Sequence, residues 1–106
     1  MMLMTKAIKA KARKQYPRGP DMEQNVVAKF FDPCGKWTWY LMNQDPKDTN
    51  YLWGIVKGDA IETGSFALKD LTSYKGRWGL GIERDRYFRP QPAKEILELL
   101  NAGKHV

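Results

Sequence analysis

The residues best suited to acid–base chemistry are the carboxylates Glu62, Glu83 and Asp85, with Arg84, Arg86 and Arg89 close by in sequence to the last two. A carboxylate held on an aromatic surface has a raised pKa and can act as a general base. An arginine beside it can stabilise a phosphate. These side chains converge only if the segment at 82–88 packs near the one carrying Glu62. The simpler reading is a structural ion pair, Glu62 or Glu83 with Arg84, since charged groups in such surroundings are often structural.

Other chemistries have less to build on. Cys34 lies within Asp32-Pro33-Cys34-Gly35, and the one histidine is His105, so a cysteine nucleophile has no base near it in sequence. Neither residue has metal-ligand spacing, and no metal or other cofactor is expected. Gly76, Gly79 and Gly81 fit neither the phosphate-binding loop nor the dinucleotide fingerprint, and read as a loop. Trp37, Trp39, Tyr40, Tyr51, Trp53, Phe66 and Trp78 form an aromatic set. Core packing must claim most of them in so short a chain. Tyr40 and Trp78 are the expected exceptions, free to stack on bases.

The charge distribution points to a partner. The chain has 18 Lys and Arg against 12 Asp and Glu, a formal net charge of +6. Residues 1–20 hold Lys6, Lys9, Lys11, Arg13, Lys14 and Arg18 and no acid, so removing these six leaves twelve bases against the twelve acids. The whole excess sits on one N-terminal element, which suits an anionic partner: DNA, RNA or an acidic protein face. Lys6, Lys9, Arg13 and Lys14 are the expected phosphate contacts, because helical neighbours recur at three and four residues. The competing reading is a solvated face that confers solubility.

The elements that must position these groups follow from pattern. With 106 residues, 42% hydrophobic and 12% aromatic, the chain suits one domain, 1–106, with a real core. A single cysteine allows no internal disulfide, the apolar start is too short for a secretory signal, and no run is long enough to span a membrane. The cytoplasm is the expected location, with no membrane contact.

Thr5 can cap a helix running to about Tyr16, where Pro17 and Gly19 stop it, with Met4, Ala7, Ile8, Ala12 and Tyr16 as its apolar stripe. Residues 26–31 and 36–42 predict a hairpin turning at Asp32-Pro33-Cys34-Gly35, with Gly35 left-handed. Residues 51–57 and 60–66 predict a second, joined by a two-residue Gly58-Asp59 turn. That register sets Trp53 opposite Gly64 and puts Glu62 on the face of Tyr51, Trp53, Ile55 and Phe66, with Trp53 and Phe66 buried. Residues 68–74 suit a short helix, 82–88 a fifth, edge strand, and 93–102 a final helix with Ala93, Ile96, Leu97 and Leu100 inward. The expected class is α+β: an antiparallel sheet of two β-hairpins plus an edge strand, with an N-terminal and a C-terminal helix.

Three stretches carry a family resemblance. They are Lys29-Phe30-Phe31-Asp32-Pro33 with Gly35, Trp37, Thr38, Trp39 and Tyr40; Gly54 to Glu62 with Gly64, Phe66, Leu68 and Leu71; and Gly79 to Asp85 with Tyr87, Phe88 and Pro90. In this order, over about residues 26–92, the chain resembles the prokaryotic family called domain of unknown function 2958. The resemblance implies a small protein of plasmids and integrative mobile elements, with no established activity. It implies nothing about the basic helix or the C-terminal helix, which lie outside those stretches.

Three functional readings follow, in order of expectation. The first is a small nucleic-acid-binding module using the basic helix. The second is a protein-interaction factor acting on a host defence or nucleic-acid-handling enzyme. The third is a metal-independent ribonuclease or toxin-like enzyme built on Glu62, Glu83, Arg84 and Asp85.

Overall fold

The computed structural model describes residues 2–106; Met1 lies outside them. Helix α1 spans Lys6–Gln15, and the Thr5 hydroxyl accepts the Ile8 N–H at 3.2 Å, satisfying one of the open amides of the first turn. A single 3₁₀ turn at Tyr16–Arg18 follows, and Gly19 leaves it with φ 53°. The chain then forms β1 (Asn25–Val26), β2 (Ala28–Phe31), β3 (Thr38–Gln44), β4 (Tyr51–Lys57), β5 (Ile61–Ala67), α2 (Leu68–Ser73), β6 (Glu83–Arg84), β7 (Gln91–Pro92) and α3 (Ala93–Asn101).

The main sheet has the order β5-β4-β3-β2-β6, with every pairing antiparallel, and β1 and β7 form a separate two-stranded ladder. Both expected hairpins are present, and the strand expected over 82–88 is a two-residue edge strand beside β2. The α+β class with a helix at each end therefore holds.

Two turns differ from expectation. Gly35 N–H reaches the Asp32 carbonyl at 3.2 Å, but its φ is not positive. A Cβ there would lie 2.6 Å from Asp32 Oδ2, so what glycine supplies is room for that carboxylate. The second hairpin turns through three residues, since Lys57 pairs with Ile61. This shifts β5 by one residue, and a one-residue shift exchanges the two faces of a strand. Trp53 faces Ser65 and Glu62 faces Val56, so Glu62 leaves the face of Tyr51, Trp53 and Ile55 and is exposed. Phe66 moves to the face of Leu52, and the space over Gly64 is open. Trp53 and Phe66 are half-buried, not fully enclosed.

Both faces of the sheet are covered. On one, Phe30, Leu41 and Leu52 pack with Met4 and Ala12 of the N-terminal segment and with Leu71 of α2. On the other, Tyr40, Met42 and Ile55 pack with Ala93, Ile96 and Leu100 of α3. An apolar strand such as β3 can expose neither side, so each face acquires its own helix. Gly54 sits where a Cβ would meet the Tyr40 carbonyl oxygen at 1.9 Å, which accounts for glycine in a central strand.

Candidate nucleic-acid interface

Helix α1 is fixed to the sheet by polar side chains as well as by Ala12. The Gln15 amide donates to the carbonyls of Met42 (2.6 Å) and Asn25 (3.0 Å), and Arg13 Nε donates to Gln44 Oε1 at 2.9 Å. Below the helix a buried amide network continues this anchoring. Asn43 Nδ2 donates to Gln24 Oε1 and to the Gly19 carbonyl, both at 3.0 Å.

The six bases fall on two flanks of this anchored element. Lys6, Lys9 and Arg13 step along one flank, while Lys11, Lys14 and Arg18 border a shallow groove with Gln15, Asn25, Val27 and Pro90. Lys6, Lys11 and Lys14 are exposed, whereas Lys9 and Arg13 are half-buried. Among the described residues only Arg18 of the six has an acidic partner, Asp21 at 2.8 Å. Helical spacing singles out Lys6, Lys9, Arg13 and Lys14; the helix also turns Lys11 to the groove beside Lys14.

The expected carboxylate–arginine cluster divides. Strand β6 lies on the far edge of the sheet from β5, so Glu62 is not near Glu83, Arg84 or Asp85. Glu83 and Asp85, with Arg84, Arg86 and Tyr87, border an open groove of about 700 Å³ that also takes in Lys29, Lys36, Lys57 and His105. Arg84 is half-buried and donates to the main-chain carbonyls of Met2 and Leu3, pinning the segment before α1. That is a structural use of the arginine.

Lys29 is the least expected member of the groove. It is buried, its ammonium is 3.9 Å from Asp85 and 5.9 Å from the Tyr40 ring centre, and it donates to the Val106 carbonyl. Burial lowers its pKa and Lys57 adds to this, with Asp85 opposing. No sequence pattern marks it, because a lysine between Ala28 and Phe30 reads as a solvent-facing position of the strand.

Tyr40, expected to be free to stack on bases, is instead enclosed. It is 2% exposed, sealed by α3, with its hydroxyl donating to the Val106 carbonyl at 3.1 Å. Burial first, and Asp85 second, push its pKa up to about 12. It offers no stacking surface. Trp78, in contrast, is 81% exposed, with the Arg77 guanidinium 5.7 Å from its ring centre. Its φ of 58° is the one left-handed non-glycine conformation among the described residues. For a bulky residue that conformation is unfavourable and marks a position worth a functional reading.

Cys34 is exposed in its turn, and no group of three or more candidate metal ligands occurs among the described residues. Nor is any described helix long and apolar enough to cross a membrane.

No curated protein and no solved structure matches the chain significantly. A family model described as "Protein of unknown function (DUF2958)" matches residues 2–102. The match takes in the basic helix and all of α3, both of which the sequence motifs alone leave outside the resemblance. The chain belongs to the DUF2958 family.

Proposed function

We propose that the protein binds nucleic acid through the outer surface of α1, with phosphates as the groups contacted. The observation that carries this reading is the acid-free helix itself: Lys6, Lys11 and Lys14 exposed and without an acidic partner among the described residues, on an element tied to the sheet through Arg13 and Gln15. A solvated surface is ordinarily mixed in sign, and a run of one sign concentrates the field. Half-buried Lys9 and Arg13 stand beside Lys6 and extend the contact along the flank away from the groove.

Trp78 supplies the second element, an exposed ring beside Arg77 on which an unpaired base can stack. Stacking tolerates any base and phosphate contacts carry no base information, so binding of low sequence preference and strong salt dependence is expected. The test is a titration of single- and double-stranded oligonucleotides at two salt concentrations. An acidic protein partner on the same helix is the second reading, favoured if no oligonucleotide binds while the cations remain unpaired.

A further inference from the structure

A second site lies on the α1–α2 side of the sheet, and its chemistry is opposite to that of α1. Trp37 and Trp39 stack with ring centres 6.2 Å apart and planes inclined by 25°. With Phe66 of β5 and Tyr74 after α2 they wall a groove of about 510 Å³, and its charged lining residues are Asp32 and Asp70. No lysine, arginine or histidine lines it, in a chain of net charge +6.

The acid is held ready. Asp32 is 8% exposed; its Oδ1 accepts the Cys34 N–H and its Oδ2 the Tyr74 hydroxyl, each at 3.0 Å. Each oxygen keeps a further lone pair. Two glycines make room for this arrangement. A Cβ on Gly35 would lie 2.6 Å from Asp32 Oδ2, and one on Gly58 would lie 2.4 Å from the Trp37 ring. Neither glycine has a positive φ, so space for these two side chains is what the sequence secures there.

We infer that this groove receives a lysine or arginine side chain of a partner polypeptide that adds to the open edge of β5. Aromatic faces attract a cation electrostatically and the carboxylates complete its recognition. The occupant is an extended chain because Ser65, Phe66 and Ala67 of β5 form one wall of the groove, and β5 is an edge strand paired only with β4. An edge strand offers main-chain donors and acceptors to an incoming strand, with alternate side chains seated in flanking pockets. Glu62, the charged residue of β5, is acidic as well and exposed, while Asp59 of its turn is paired with Lys36 at 2.5 Å.

The probe is a capped hexapeptide of alternating valine and arginine, read by indole fluorescence in a Trp53→Phe/Trp78→Phe background that leaves Trp37 and Trp39, and by amide exchange along β5, with the valine–glutamate hexapeptide and spermidine as controls. The expected result is saturable binding of the arginine peptide, slowed exchange in β5, and at least tenfold weaker binding of the glutamate peptide. Asp70→Asn, at an exposed position, should weaken binding several-fold, and Gly58→Ala should do so by displacing Trp37. Failure of the arginine peptide to bind, equal binding of both peptides, or unchanged binding by Asp70→Asn overturns the site. Spermidine binding as tightly as the peptide, with no slowing in β5, overturns the polypeptide occupant. Retained binding by Lys6→Gln/Lys11→Gln/Lys14→Gln separates this site from the nucleic-acid surface.

Discussion

Arg13 Nε sits 2.9 Å from Gln44 Oε1, and through this bond a basic residue of α1 is tied to the last residue of β3. The contact occupies one guanidinium nitrogen and fixes the direction of the rest. Arg13→Ala should therefore do two things: lower stability by about 1 kcal/mol, as expected for one hydrogen bond, and weaken oligonucleotide binding. Gln44→Ala should lower stability while leaving the charge intact. Urea denaturation of both variants, with binding measured in parallel, separates the two roles.

Gly54→Ala should be among the most damaging substitutions. The added methyl would lie 1.9 Å from the Tyr40 carbonyl oxygen, a backbone atom of the neighbouring central strand that cannot yield cheaply. The cost should exceed the about 1–3 kcal/mol typical of overpacking. Phe30→Ala, at a fully buried position, should cost about 3–5 kcal/mol. Phe66→Ala should cost less, since Phe66 is half-buried. Chemical denaturation checks all three.

How far these features were legible in the sequence depends on the kind of constraint. The first hairpin and the terminal helices carry their signals locally, in Asp32-Pro33, Thr5 and Gly103. The Gly58 turn does not: two- and three-residue links both suit Gly-Asp-Ala, and the choice decides which face Glu62 takes. Tyr40 and Lys29 were beyond local pattern. Both are buried because α3 and the segment around Val106 close over the sheet, a tertiary event that strand alternation does not encode. The Gln24–Asn43 network is hidden for the same reason, since its residues resemble ordinary loop polars until Gly19 folds back to meet them.

Alkaline stability should report Tyr40. Its native pKa of about 12 lies above the ordinary value of 10.0, so between those limits the native state holds a proton that the unfolded state has released. The stabilisation is complete below pH 10 and is lost as pH rises towards 12, at up to about 1.4 kcal/mol per pH unit. Tyr40→Phe has no proton to lose at this position. Its unfolding free energy should fall less steeply than that of the wild type across that window, as measured by urea titrations at successive pH values.

Trp78→Gly should separate stability from function. It relieves a left-handed φ that costs an ordinary residue about 1–2 kcal/mol, partly offset by the chain entropy of glycine. The melting temperature should therefore hold or rise. Single-stranded oligonucleotide binding should weaken by about 1–3 kcal/mol, the usual contribution of one stacked base. A thermal melt and a binding isotherm on the same variant decide it.

The proposed contact of α1 is with phosphates. Its most direct measurement is the salt dependence of oligonucleotide affinity for the wild type and for Lys6→Gln/Lys11→Gln/Lys14→Gln, which removes three exposed charges and spares the Arg13 and Gln15 anchors. Wild-type binding should weaken steeply with salt, and the variant should keep its fold while its log–log slope is shallower by up to about 3, near 0.9 per duplex phosphate contact. Wild-type protein that binds no oligonucleotide at low salt, or a variant with an unchanged slope, would contradict it.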